Sequence, residues 1–159
     1  MMLLYPHDGR WHLPLTVRPE GLTDHAGQVS FPGGLTEPGE SSREAALREL
    51  EEELGVKDGI EVLGQLADFY VFVSDFWVTP WVGVIDRQPA WVPNPAEVSE
   101  LLEVPIVELL DPTSIQDFLI TRGELSFSAP YFAWRSHKIW GATGMMLSEL
   151  ISFFEPSDV

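Results

Sequence analysis

The sequence predicts a mixed α/β domain, a mixed β-sheet sandwiched between helices. Three observations carry that expectation: runs with strand character fill much of the chain, a strongly helical segment sits early, and an apolar helical pattern comes late. At 159 residues the chain fits a single domain, 1–159, long enough to bury one substantial core without disulfides.

Strand patterns begin at residues 3–5 and 11–18; in the second, His12, Pro14 and Thr16 alternate with Leu13 and Leu15. Residues 28–31 read as a short strand stopped by Pro32-Gly33-Gly34. Ser41 with Glu44 three residues on has the form of a capping box, and Gly55 is a natural stop. A helix is expected between them, with Leu47, Leu50 and Leu54 on its core face. Strand patterns return at 62–73 and 76–85, and Pro80 inside the second predicts an edge position or a bulge. Residues 87–97 form a Pro-rich loop, and a short helical turn is expected at 106–110. Strand pieces at 124–127, 131–134 and 137–140 precede a final helix from about 142 to 154, closed by Pro156.

Nine Lys+Arg against 25 Asp+Glu leave a net charge of −16. Such a charge repels nucleic-acid backbones and anionic membranes, so neither a nucleic acid polymer nor a membrane is an expected partner. No apolar run approaches the roughly 18 residues needed to span a bilayer. The first residues, Met1 to Pro6, lack the basic start and apolar stretch of a signal peptide. The absence of cysteine excludes thiol catalysis, Cys-ligated zinc and a disulfide framework, and fits a cytoplasmic protein. If the substrate is a polyphosphate, a cation must bridge two negative partners, and a hard divalent ion held by carboxylates does so.

The early helix supplies those carboxylates. Glu49, Glu52 and Glu53 fall at i, i+3 and i+4 and project from one face. Like charges at that spacing cost an isolated helix roughly 0.2–0.5 kcal/mol per pair, and no Lys or Arg lies at the next turn to relieve them. Bound Mg²⁺ or Mn²⁺ would resolve the repulsion, since both ions take oxygen ligands. The competing reading is a solvated acidic face.

The spacing decides between them. Gly34, Glu40, Arg48, Glu49, Leu50, Glu52, Glu53, Gly55 and Val56 match every fixed position of G-x5-E-x7-R-E-U-x-E-E-x-G-U, a chance match of about one in a billion per start position. The chain thus resembles the Nudix hydrolases. The resemblance implies a Nudix-type α/β/α sandwich and metal-dependent hydrolysis of a diphosphate. Carried over residue by residue, it makes Glu49 and Glu53 the principal metal ligands and Glu52 a further ligand or water-positioning group. The Gly33 carbonyl is an additional ligand, and Glu40 and Arg48 are an ion pair holding the loop to the helix. Glu49 is one option for the general base; a loop glutamate after the sheet is another, and Glu97 is the candidate, weighed evenly against a solvated loop charge.

Residues 15–34 further resemble the motif that precedes the box in the coenzyme A pyrophosphatase branch of the family. Leu15, Thr16, Arg18, His25, Gly27, Val29 and Phe31 to Gly34 match it. The likeness continues through Ser74, Thr79-Pro80, Pro93-Asn94-Pro95, Glu97-Val98 and residues 137–143. It implies cleavage of coenzyme A or its thioesters to adenosine 3′,5′-bisphosphate and a 4′-phosphopantetheine species. Arg18 becomes the expected phosphate contact and His25 either a substrate donor or a structural hydrogen-bonder. Thr23 stands where the branch has Arg, and Pro19 where it has Ser or Ala. Thr cannot supply the bidentate contact of Arg, so ADP-ribose, a dinucleotide or another nucleoside diphosphate derivative remains open as substrate. A catalytically retired binding domain is the third reading, disfavoured by the complete box. Trp77, Trp81, Trp134 and Trp140 read as core, or as the face of a possible homodimer, ahead of stacking platforms.

Overall fold

The computed structural model describes residues 1–21, 27–123 and 125–154. Strand β1 (Met2–His7) turns tightly into β2 (Arg10–Val17) through Asp8 and Gly9, both at positive φ (49° and 73°). Asp-Gly adopts two consecutive left-handed conformations readily, and the register that follows sets His7 opposite Arg10. Strand β1 then serves two neighbours. Its last residues pair with β2, while Met2 to Leu4 pair in parallel with β7 (Trp81–Val84), which in turn pairs with β4 (Glu61–Gln65). The other edge of β2 takes β8 (Glu100–Pro105) from His12 to Val17. The edge it shares with β1 continues to β3 (Val29–Ser30) at Thr16 and Val17. These strands make a six-stranded mixed sheet.

Each face has its own core. On one, helix α1 (Ser42–Leu54) buries Ala46, Leu50 and Leu54 against Leu3, Tyr5, Ile85 and Val98. Each fully buried leucine there contributes about 1.5–3 kcal/mol. On the other face, α2 (Ile106–Leu109), α3 (Gly141–Ile151) and a second sheet pack against Leu13, Leu15 and Val104 through Phe132, Trp134, Ile139 and Leu147. That sheet is β9 (Ile115–Arg122), β10 (Leu125–Trp134) and β11 (His137–Trp140), all antiparallel. The layering is the expected α/β/α sandwich, with the second sheet added to one outer layer. No helix among the described residues is long and apolar enough to cross a membrane.

Several expectations change. Strand β2 is buried on both faces, so His12 and Thr16 lie in the interior beside Leu13 and Leu15. The pattern 62–73 breaks after Gln65, and β5 (Phe69–Val71) pairs only with β6 (Phe76–Val78) in a separate hairpin. Thr79 and Pro80 separate β6 from β7; Pro80 has no N–H for the ladder, but its carbonyl accepts from Leu66 N–H at 2.9 Å. Trp77, expected in a core or an interface, is 73 % exposed on this hairpin, whereas Trp134 is buried. The described part of the piece at 124–127, residues 125–127, and the piece at 131–134 belong to one strand, β10, while β8 and β9 carried no expectation at all.

Candidate active site

Helix α1 begins as its sequence dictates. Ser41 accepts from the Glu44 N–H, and the Glu44 carboxylate accepts from the Ser41 N–H at 2.9 Å. It ends at Gly55 in the left-handed conformation (φ 73°), whose N–H donates to the Glu51 carbonyl. Leu50 and Leu54 lock the helix onto the sheet, which carries Glu53 to 5 % exposure. Glu53 is held there by β2 and by the segment that follows β3. The Gly33 N–H donates to its Oε1 at 3.0 Å, and the Thr16 hydroxyl of β2 donates to its Oε2 at 3.3 Å.

One turn earlier, Glu49 comes so close to the Pro32-Gly33-Gly34 segment that a Cβ on Gly34 would lie 2.3 Å from its Oε1. Any side chain at 34 would push that carboxylate out of its present position. The third member, Glu97, arrives from the loop between β7 and β8. Ligand oxygens of Glu49, Glu53 and Glu97 all lie within 4.8 Å of one another, and no second such cluster occurs among the described residues. The grouping has an electrostatic cost. Burial pushes the Glu53 carboxyl up to about 7; the Gly33 N–H works against that shift, while Glu49 and Glu97 add to it.

Glu52 points elsewhere. Half-exposed, it accepts from Arg48 Nη1 at 2.8 Å and stands outside the three-carboxylate group. No cation lies at the next turn, but Arg48, on the N-terminal side of the trio, relieves part of the acidic face. It donates from Nε and Nη2 to both oxygens of Glu40 (2.9 and 3.1 Å), from Nη1 to Glu49 (2.9 Å) and from Nη2 to the Leu35 carbonyl (2.9 Å). One guanidinium thus ties the 35–40 loop to the helix and fixes Glu49 and Glu52 from the flank. These bonds hold Glu40 below the usual carboxylate range, with the Arg48 hydrogen bond as the main cause.

The loop carrying Glu97 is tied down at several points. Glu103 Oε2 on β8 accepts from Tyr5 Oη (2.7 Å), Gln88 Nε2 (2.8 Å) and Trp91 Nε1 (2.9 Å). Further along, the Val92 and Asn94 N–H groups donate to the Leu54 and Glu53 carbonyls, which the end of the helix leaves without intrahelical partners. Thr16 and this loop docking were not anticipated from sequence. The signal for Thr16 was its place in the upstream motif, two residues before Arg18.

Arg18 follows β2 with its backbone still paired, its N–H donating to the Gln28 carbonyl at 3.1 Å. Its Nε is buried without a hydrogen-bond partner among the described residues. His25 and Thr23 lie outside the described residues.

Comparison with known proteins agrees with this arrangement. A family model of the NUDIX domain matches residues 1–122. The chain is 40% identical over 141 residues to the uncharacterized Nudix hydrolase NudL of Yersinia enterocolitica, covering 87% of this chain and 71% of that protein. It is 33% identical over 168 residues to Nudix hydrolase 3 of Caenorhabditis elegans, covering 94% of this chain and 69% of that protein. Among solved structures, the Nudix hydrolase RenU of M. smegmatis shares the fold with a TM-score of 0.57 at 22% identity, over 69% of this chain and 70% of that one. The family match takes in α1, Gly34 and Glu97 alike, and this chain belongs to the Nudix family of hydrolases.

Proposed function

We propose that this protein hydrolyses the diphosphate of coenzyme A or an acyl-coenzyme A with Mg²⁺ or Mn²⁺, releasing adenosine 3′,5′-bisphosphate and (acyl-)4′-phosphopantetheine. The observation that carries the hydrolytic reading is the convergence of Glu49, Glu53 and Glu97 within 4.8 Å. Three carboxylates and no nitrogen or sulfur ligand form the donor set of a hard divalent cation, and their mutual repulsion favours one. Glu49 and Glu53 would hold the ion, joined by the Gly33 carbonyl, with Glu52 at the margin orienting water. When bound, the ion supplies Lewis acidity that polarises a phosphoryl oxygen and acidifies the attacking water.

The remaining steps belong to side chains. Glu97, set on its loop against the helix end, takes the proton from the water that attacks one phosphorus. The bond from that phosphorus to the bridging oxygen breaks, and the other phosphate leaves with it. Arg48 keeps Glu49 pointed into the cluster. Arg18 lies two residues beyond Thr16, whose hydroxyl reaches Glu53, and so on the same face of the strand. Its guanidinium is suited to a substrate phosphate, and His25 adds a donor from the same motif. The coenzyme A assignment is supported by the upstream motif at residues 15–34.

A substrate panel tests the proposal. Coenzyme A, acetyl-coenzyme A, ADP-ribose, NADH and diadenosine polyphosphates are incubated with about 5 mM Mg²⁺ or Mn²⁺, ample for a weak carboxylate site, and products are separated by chromatography. Adenosine 3′,5′-bisphosphate from the coenzyme A compounds is expected. Preference for another diphosphate would assign the departure at Thr23 a deciding role in specificity, and silence on all of them would sink the hydrolytic reading.

A further inference from the structure

Glu97 is the one carboxylate of the cluster that no regular element carries, and its placement rests on a neighbour. Asn94 uses every polar group it has on this corner. Its backbone N–H donates to the Glu53 carbonyl at 2.8 Å, fastening the loop to the residue that holds the most buried carboxylate of the cluster. Its carbonyl accepts from the N–H groups of Glu97 (3.0 Å) and Val98 (2.8 Å). Its side-chain Oδ1 accepts from the Ala96 N–H at 3.1 Å, closing an Asx turn. Its Nδ2 donates to Glu97 Oε1 at 2.9 Å.

We infer that Asn94 is a positioning residue that orients the Glu97 carboxylate toward Glu49 and Glu53. The chemistry of the position is restrictive. Aspartate keeps the acceptor for Ala96 but loses the donor to Glu97, and alanine loses both. Gly55 belongs to the same device: a Cβ there would lie 2.9 Å from Val92 Cβ, so the final glycine of the box clears the ground on which the loop docks. The inference rests on reading Glu97 as a member of the reacting cluster.

The experiment compares the wild type with Asn94→Ala, Asn94→Asp, Glu97→Ala and the Asn94→Ala/Glu97→Ala double variant. Turnover of coenzyme A, Mn²⁺ affinity by electron paramagnetic resonance and the melting temperature are measured for each. Asn94→Ala is expected to lower kcat about 10–100-fold with KM within about twofold, and to weaken Mn²⁺ about tenfold. Asn94→Asp keeps the melting temperature of the wild type, because the Asx turn survives, yet loses kcat to a similar extent. On the Glu97→Ala background, Asn94→Ala adds no further loss in kcat or Mn²⁺ affinity. Wild-type kcat in Asn94→Asp overturns the inference, as does a full additional cost of Asn94→Ala when Glu97 is already gone. If the wild type binds Mn²⁺ but cleaves no diphosphate, the proposed function fails by itself, and the Mn²⁺ affinities of the single and double variants still decide the role of Asn94.

Discussion

Replacing Gly34 by alanine tests whether the first glycine of the box exists to admit Glu49 to the cluster. The added Cβ would lie 2.3 Å from Glu49 Oε1, 2.5 Å from Cδ and 2.8 Å from Oε2. Ordinary contact begins near 3.4 Å, so the carboxylate must retreat by about 1 Å. Folding tolerates this well, because the obstructing group is the far end of a flexible side chain; a cost of about 1 kcal/mol, or roughly 3 °C for a chain of this size, is expected. The chemistry is less forgiving. A misplacement of about 1 Å at a reacting centre costs on the order of 100-fold, about 2.7 kcal/mol of barrier. Arg48 compounds the effect, since its 2.9 Å bond to Glu49 sets that carboxylate's present position. The assay pairs kcat for metal-dependent diphosphate hydrolysis and Mn²⁺ affinity with the melting temperature. Gly34→Ala should stay folded and lose about 100-fold in kcat. Wild-type turnover in the folded variant refutes the steric argument; a fall of more than about 10 °C would instead assign the glycine to the fold.

The raised Glu53 carboxyl fixes a pH dependence. Above about pH 4.5 the unfolded chain releases this proton while the folded protein keeps it to about 7, so stability of the metal-free protein falls as pH rises through that window, by roughly 3 kcal/mol. Melting in chelator from pH 4 to 8 checks this: Glu53→Gln should flatten the profile, and added Mg²⁺ should raise the melting temperature more at pH 8 than at pH 5. Arg48→Lys should lower both kcat and melting temperature, with about tenfold loss in kcat, because an ammonium cannot reach Glu40, Glu49, Glu52 and the Leu35 carbonyl together. Wild-type kinetics in that variant would show that the bond network is dispensable. Gly55→Ala imposes a left-handed conformation on a residue with a Cβ and a 2.9 Å contact to Val92; a loss of at least about 1–2 kcal/mol in urea unfolding is expected, and an unchanged midpoint would contradict the docking of the loop on the helix end.

The parts of the molecule legible in the sequence are those set by local chemistry. The capping box at Ser41 and Glu44, the left-handed stop at Gly55 and the leucine face between them depend on near neighbours, and the structure contains them where spacing set them. Glu49 and Glu53 share a helical face for the same reason. What could not be read is set by distant partners. Strand β8 has apolar residues flanked by glutamates, and its identity comes from pairing with β2 more than eighty residues earlier. The alternation in β2 sets polar residues opposite leucines, and layers on both sides bury His12 and Thr16 as well as Leu13 and Leu15. The two patterns at 62–73 and 76–85 become four strands, because breaks at 66–68 and at Thr79-Pro80 divide each of them and the turn at 72–75 lies between.

The site divides along the same line. Two carboxylates come from one helix, and their spacing announces them. The third depends on the path of a Pro-rich loop, and no periodicity places a loop residue beside a helix formed forty residues before it. Here the helix end does the placing. It leaves carbonyls without intrahelical partners, and the loop supplies the Val92 and Asn94 N–H groups that satisfy those of Leu54 and Glu53. Glycine at 55 makes the approach sterically open, and Glu103 restrains the loop's other end through Gln88 and Trp91. The box therefore does more than present two carboxylates. By terminating at Gly55, the helix that holds Glu49 and Glu53 also creates the surface that delivers Glu97, so a change at the helix terminus should reach the chemistry without touching a carboxylate.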